Sequence, residues 1–535
     1  MRMRNIVYKC IRALAVLFIL CIILITFRDL FLASIEVYPR EYREAANLII
    51  AKFFYRGINP YRINSGIPVC TNVYGFVNPM IASMLSKVLN IGLMRSFYIL
   101  SLLYTIFIPM LISYEVYSIV GATRQTWVFY PFLFFSAYTV TYGTGHISTR
   151  PDCLGIIISI IILMILRRNR TVRNVLIASL LLILLFYVKP YFLFFVIPVS
   201  IFLLMKDKRT FVLFLISLFI IGLTSFILIR WIFPLYYVDT IYFEFIEQVL
   251  SDGDVLTSEK NAELILYSIN QFKELISTYL IQFIIVAIGL LGVSTKVRSC
   301  DNIWCFSDTF EKISIYLWNI VLAVPILLLL GRNKGAWISY HMQLLMSAII
   351  IVGFVGIISF SKRNSSLGVL LLILVVISTP TLYKKYGYVD KLSYEEEESW
   401  EKIEELCIKA SDEGKQIYAS CLVNGLLIDK IEYYYTYKTG HAYYQFKSLD
   451  IKETVEKNRW LNNFLFPTIL DSMEYMNKII SEDIKKLKDN KYDIIISDTA
   501  SSVEPGNIEE YDIMYLDLHS GVQNWETTVY IKKQQ

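Results

Sequence analysis

Ala13-Leu14-Ala15-Val16-Leu17-Phe18-Ile19-Leu20-Cys21-Ile22-Ile23-Leu24-Ile25-Thr26-Phe27 is an apolar run without a charge, set between Arg2, Arg4, Lys9 and Arg12 on one side and Arg28 on the other. At 1.5 Å per residue, a helix over 11–34 spans a hydrocarbon core about 30 Å thick. No small-x-small cleavage site precedes Arg28, so the run reads as a retained first span and not as a secretory signal. Further apolar runs follow at 96–119, 125–142, 152–167, 173–188, 190–205, 210–233, 276–294, 313–330, 341–360 and 366–382. The expectation is a polytopic α-helical membrane protein with about eleven spans. Lys189-Pro190 divides the stretch 173–205, because proline cannot continue a helix at that point.

Composition agrees. Of 535 residues, 56% are hydrophobic and 18% charged, a balance that soluble globular chains rarely reach. A net charge of +5, with no concentrated basic patch, argues against nucleic acid as a partner and leaves the lipid bilayer as the expected surroundings. The eight cysteines are scattered. Cys300 and Cys305 share a short loop, but no second pair completes a zinc site, and Cys407 and Cys421 lie in the C-terminal tail.

Charge sets the orientation. Arg124, Arg167-Arg168-Asn169-Arg170, Lys206-Asp207-Lys208-Arg209, Lys296 with Arg298, and Lys362-Arg363 all fall on the side of the N-terminus. The positive-inside rule makes that side cytoplasmic and, with an odd number of spans, puts the tail outside. The predicted organisation is a membrane domain over 1–384, with an outer loop 35–95, and an extracytoplasmic α/β domain over 385–535. Within the outer loop, Ala45, Leu48, Ile49 and Phe53 recur at helical spacing, Gly57-Ile58-Asn59-Pro60 ends that helix, and a second amphipathic piece runs from Asn78 to Leu89. Both are expected to lie along the membrane surface. In the tail, helices are predicted at 399–411 and 474–489, and strands at 416–420, 492–497 and 526–532.

The polar residues that carry chemistry collect on the outer face. Glu36, Glu41 and Glu44 follow the first span directly. A carboxylate at the membrane edge can take the proton of an attacking hydroxyl; acids in a first helical turn also simply offset the helix dipole. Arg150-Pro151-Asp152 opens the fourth span, with His146 four residues before Arg150. Asp152 reads either as a functional acid or as a good helix start. Lys189, between Tyr187 and Tyr191, either holds a lipid phosphate or snorkels to the headgroups. The turn Gly331-Arg332-Asn333-Lys334-Gly335-Ala336-Trp337-Ile338-Ser339-Tyr340-His341 offers cations for a phosphate and aromatic rings for a sugar.

Three strings appear in order on this face: Glu41-Tyr42-Arg43-Glu44-Ala45-Ala46, Gly57-Ile58-Asn59-Pro60-Tyr61 and Tyr74-Gly75-Phe76-Val77-Asn78-Pro79. Together with Arg150-Pro151-Asp152, Lys189-Pro190 and Gly331-x-Asn333-x-Gly335-Ala336, they resemble the GT-C superfamily of membrane glycosyltransferases, on the bacterial branch related to protein mannosyl- and aminoarabinose transferases. The resemblance implies inverting transfer of a sugar from a polyprenyl-phosphate donor to a glycan, lipid or protein acceptor. It implies Glu41 or Glu44 as the base, Lys189 with Arg332 or Lys334 on the phosphate, and Asp152 orienting acceptor or sugar. Arg150, His146, Asn333, Tyr340 and His341 complete the expected substrate contacts. The chain departs from the pattern where many relatives carry Asp or Asp-Glu just before the Tyr; here Val37-Tyr38-Pro39-Arg40 precedes Glu41. The first loop has no Asp-x-Asp, so no cofactor or divalent metal is expected. The rival readings are a flippase or transporter, which would place charges inside spans, and a polymerase or ligase of lipid-linked glycans.

Overall fold

The computed structural model describes residues 2–40, 42–64, 74–123, 126–144, 147–242, 258–278, 308–330, 343–361, 392–419, 469–498, 503–518 and 526–533, with the single residues 280, 284 and 287. In chain order these form α1 (Arg2–Ser34), α2 (Tyr42–Tyr55), α3 (Val77–Leu89), α4 (Leu93–Val120), α5 (Tyr130–Tyr138), α6 (Asp152–Arg168), α7 (Val172–Val188), α8 (Val196–Lys206) and α9 (Lys208–Ile232). There follow α10 (Ser258–Thr278), α11 (Asp308–Leu330), α12 (Gln343–Ser361), α13 (Tyr394–Asp412), β1 (Ile417–Ala419), α14 (Ile469–Lys488), β2 (Ile494–Asp498), β3 (Tyr511–Asp517) and β4 (Glu526–Lys532).

Every predicted span within the described residues meets an apolar helix. Four are long and apolar enough to cross a membrane: Ala13–Ser34, Leu93–Val120, Lys208–Ile232 and Thr309–Leu328. Val172–Val188, Pro190–Lys206 and Leu345–Ser359 are shorter apolar helices. The expected span 366–382 and most of 276–294 lie outside the described residues. The span expected over 125–142 is α5 flanked by 3-10 turns at Trp127–Phe129 and Thr139–Thr144. α9 leaves Phe219, Ile220, Ile227, Leu228 and Trp231 exposed. Such a large contiguous apolar surface suits hydrocarbon, not water.

Local chemistry sets the helix ends. Asp207 caps α9 by accepting from the main-chain N–H of Arg209 and of Thr210. Thr171 caps α7 in the same way through Asn174. Pro190 stops α7 and leaves Lys189 extended between it and a 3-10 turn over Pro190–Phe195. α4 is the centre of the bundle, packed against α1, α3, α5, α6 and α12. Towards its C-terminal end, buried Glu115 accepts from Arg167 and from the Tyr316 hydroxyl, which ties α4 to α6 and α11.

At the opposite end lie α2 and α3. α3 is amphipathic, with Met84, Val88 and Leu89 exposed and Ala82, Ser83 and Ser86 buried. α2 departs from a surface-lying helix: residues 44–53 are all buried, Glu44, Asn47 and Lys52 included. It is roofed by other segments, so its polar side needs protein partners in place of water.

The C-terminal strands form one sheet in the order β1-β2-β4-β3, with β1 parallel to β2 and the other pairs antiparallel. Alternate residues of β2 serve opposite faces. Ile494 and Ile496 pack with Trp400, Ile403 and Cys407 of α13, while Ile495 packs with Leu487 of α14 and with Tyr492, Tyr511 and Tyr530. α13 begins five residues before the predicted start at 399, because Ser393 and Glu396 form a reciprocal capping box and the acidic run becomes the first turn. β3 was not predicted. It is an edge strand in which Ile513 and Tyr515 are exposed, so its apolar residues do not alternate cleanly with polar ones and give no period-2 pattern to read.

Candidate active site

Arg40 anchors the first loop. It is buried against α4, with its guanidinium 4.5 Å from the centre of the Tyr98 ring. It donates to Glu36 at 2.7 Å, to the Ile147 carbonyl at 3.1 Å and to the Ala33 carbonyl. Burial works against the guanidinium charge, but Tyr98, Glu36 and Glu44 outweigh it and hold its pKa above the usual value. Burial likewise raises the pKa of Glu36, opposed by Arg40.

Glu44 lies one turn further on and is 1% exposed. Its Oε2 accepts from the Arg40 main-chain N–H at 2.8 Å and from the Tyr98 hydroxyl at 3.0 Å, and its Oε1 accepts from the Thr149 N–H at 3.1 Å. Glu44 thus joins the loop to the segment that leads into α6. Asn78 of α3 donates to the Thr149 carbonyl at 3.0 Å and secures that segment from the other side.

Asp152 opens α6 and is 2% exposed. Its Oδ1 accepts from Lys189 Nζ at 2.8 Å and from the Tyr191 hydroxyl at 2.9 Å; its Oδ2 is buried with no hydrogen-bond partner among the described residues. The Lys189 ammonium also sits 4.9 Å from the Tyr74 ring centre and 4.6 Å from that of Tyr191. Arg150, itself buried, acts on Asp152 electrostatically. Lys189 and Arg150 both act on Asp152 in surroundings where Coulomb forces are poorly screened.

Gly75 makes this cage. Its N–H donates to the Val188 carbonyl at 3.1 Å, which brings Tyr74 over Lys189. A Cβ at this position would lie 1.7 Å from the Tyr187 carbonyl oxygen, so only glycine permits the approach. Asn59 and Tyr61 dock the loop on the end of α9: Asn59 donates to the Ile232 carbonyl at 2.6 Å and the Tyr61 carbonyl accepts from the Leu235 N–H at 2.9 Å. Phe76, Tyr61, Tyr187 and Tyr236 then form a layer of ring contacts at 5.3–5.7 Å.

The structure therefore brings Glu44, Arg150, Asp152 and Lys189 to one face of the bundle. Glu41, His146, Arg332, Asn333, Lys334, Tyr340 and His341 lie outside the described residues. Sequence reasoning gave no site role to Arg40 or Tyr98, which hold the acids, and noted Tyr74 and Tyr191 only as neighbours in the chain, without their contacts to Lys189. It also missed Asp239, which is 1% exposed just beyond α9 with both carboxyl oxygens unpartnered among the described residues. Burial raises its pKa well above the usual range. The signal for Asp239 was present: a lone acid within Leu235-Tyr236-Tyr237-Val238-Asp239-Thr240-Ile241-Tyr242.

No protein-family model matches the chain, and no curated protein matches it. Among solved structures it is similar to the crystal structure of ArnT from Cupriavidus metallidurans bound to undecaprenyl phosphate, with 10% identity and a TM-score of 0.46 over 97% of this chain and 98% of that chain. The apo state of ArnT from the same organism gives 10% identity and a TM-score of 0.41 over 96% and 97%. What the face does chemically must be read from its side chains.

Proposed function

We propose that the chain is a membrane glycosyltransferase that moves a sugar from a polyprenyl-phosphate donor to an acceptor hydroxyl on a glycan, lipid or protein. In this reading the face carrying α2 and α3 looks outward from the cytoplasmic membrane, and the domain over 385–535 lies on the same side. The observation that carries it is the caged Lys189–Asp152 pair beside Arg150, roofed by the first loop. A buried lysine and arginine gathered at the bilayer edge suit a lipid phosphate, and the aromatic layer next to them suits a sugar ring.

The reaction is an inverting displacement. The acceptor oxygen attacks the anomeric carbon, the bond from that carbon to the phosphate oxygen breaks, and the polyprenyl phosphate leaves with the electron pair. A first-loop carboxylate takes the hydroxyl proton. Of the two expected bases, Glu44 already accepts three hydrogen bonds, two of them from main chain, so its part here is to fix the loop and the role of base falls to Glu41. In this reading the buried Asp152 Oδ2, which has no hydrogen-bond partner among the described residues, accepts a hydroxyl of acceptor or sugar once the site opens to substrate, and Lys189 with Arg150 offsets charge on the leaving phosphate.

The test is sugar transfer by the purified chain in lipid from a panel of radiolabelled polyprenyl-phosphate sugars, comparing wild type with Glu41→Gln, Glu44→Gln, Asp152→Asn and Lys189→Ala. Lipid-dependent transfer that Glu41→Gln abolishes and Lys189→Ala weakens supports the reading. A folded wild type that turns over no donor overturns it and directs the next assay to lipid translocation.

A further inference from the structure

Tyr38 stands two residues before Arg40, outside the acid cluster, and enters the core of the C-terminal sheet. Its ring stacks on Trp400 of α13 at 5.7 Å and 6°, and its hydroxyl donates to Glu404 at 3.0 Å. Tyr38 and Ala45 share one buried cluster with Trp400, Ile403, Ile494 and Val529. Tyr38 and Ala45 therefore complete the C-terminal core.

The same residue faces the acid cluster through its main chain. The Tyr98 hydroxyl lies 3.0 Å from the Tyr38 carbonyl and 3.0 Å from Glu44 Oε2, so one proton serves both acceptors. Glu44 Oε1 in turn accepts from Thr149, three residues before Asp152. A continuous series of contacts runs from α13 through Tyr38, Tyr98 and Glu44 to Thr149.

We infer that Tyr38 is a positioning residue through which α13 sets the register of the first-loop acids and of the 147–152 segment, so that the C-terminal domain forms part of the reaction site. The inference rests on the transferase reading only for its consequence in turnover; the coupling itself is measured without substrate. A shift of α13 moves Tyr38, and the Tyr98 hydroxyl held by its carbonyl moves with it, which displaces Glu44 Oε2 and loosens the hold of Oε1 on the Thr149 N–H.

The experiment uses the full chain in lipid nanodiscs and reads hydrogen exchange of peptides covering 147–150, next to sugar transfer. Glu404→Ala is the main variant: Glu404 is half-buried on α13, so its loss does not threaten the fold, and it meets the first loop through its hydrogen bond with Tyr38. Glu404→Ala is expected to speed exchange at the Thr149 amide about fivefold, the worth of one hydrogen bond. Peptides of α8 and α12 should be unchanged. Tyr38→Ala should do more and should lower kcat with KM little changed, while Tyr38→Leu, which refills the core, should recover the α13 peptides but not Thr149. Unchanged exchange at Thr149 in Glu404→Ala overturns the inference. So does recovery of Thr149 by Tyr38→Leu, which would make Tyr38 packing alone. Because exchange needs no donor, a wild type inactive with every sugar tested counts against the transferase reading and leaves the coupling result to stand or fall by itself.

Discussion

At the level of single residues, the acid groups divide by how their burial is compensated. Asp152 is buried with a lysine and a tyrosine, Glu44 with main-chain donors, and Asp239 with nothing among the described residues. Asp239 therefore folds as the neutral acid. With its folded pKa raised above an unfolded value of about 3.9, its stabilising contribution is full below that value and is lost as pH rises through the folded pKa. Asp239→Asn, neutral at every pH, should be more stable than wild type at alkaline pH and equal to it near pH 4; parallel thermal-unfolding curves across that range would refute the buried neutral acid. Gly75→Ala should cost stability at or above the upper end of the usual overpacking range of about 1–3 kcal/mol, since main chain stands on both sides of the contact. An unchanged melting temperature would show that the loop does not approach Tyr187 in this way. The chemical types at Asp152 and Lys189 were legible in the sequence because charges next to apolar spans stand out. Their hydrogen bond was not: the short connection between α6 and α7 puts Asp152 and Lys189 at the same end of a helix pair, but only the structure turns the two side chains onto each other.

Among the elements, α4 links two polar clusters, Tyr98 towards its start and Glu115 towards its end, about 25 Å apart at 1.5 Å per residue. Glu115 is a charge inside a predicted span, the kind a transporter would use, yet it is fully occupied by Arg167, Tyr316 and Ser118. Glu115→Gln should destabilise the bundle by about 3 kcal/mol by leaving Arg167 buried without its counter-charge, while KM for any donor stays at the wild-type value. A change in KM without a stability loss would make Glu115 part of a transport path. In the sheet domain, Ser393→Ala removes one half of the capping box of α13 and should cost about 1 kcal/mol, read as a lower unfolding midpoint for that domain. No change there would mean that the helix starts at Ser399, as the periodicity alone suggests.

For the whole molecule, sidedness decides whether the loop face can meet a lipid-linked sugar. Single cysteines at Tyr515, exposed on β3, and at Lys208, at the start of α9, should label from opposite sides in intact cells once the eight native cysteines are replaced. The expectation is external labelling at 515 and none at 208; the reverse pattern would put the acid cluster in the cytoplasm and remove the basis for an outward-facing transferase.

Among the described residues, the sequence by itself determined the order of the apolar helices and most of their extent, the two helices of the first loop and most of the C-terminal α/β pattern. These follow from hydrophobic runs and periodicity, which are local and survive in any tertiary setting. Only the tertiary structure decided that α2 is roofed and not laid on a surface, that Lys189 is neutralised by Asp152, and that Tyr38 belongs to the core of a domain more than 350 residues away, at Trp400 and Glu404. Each of these is a contact between segments distant in the chain, made where a buried polar group must find a partner or a ring must leave solvent, and a one-dimensional pattern does not specify which partner that will be.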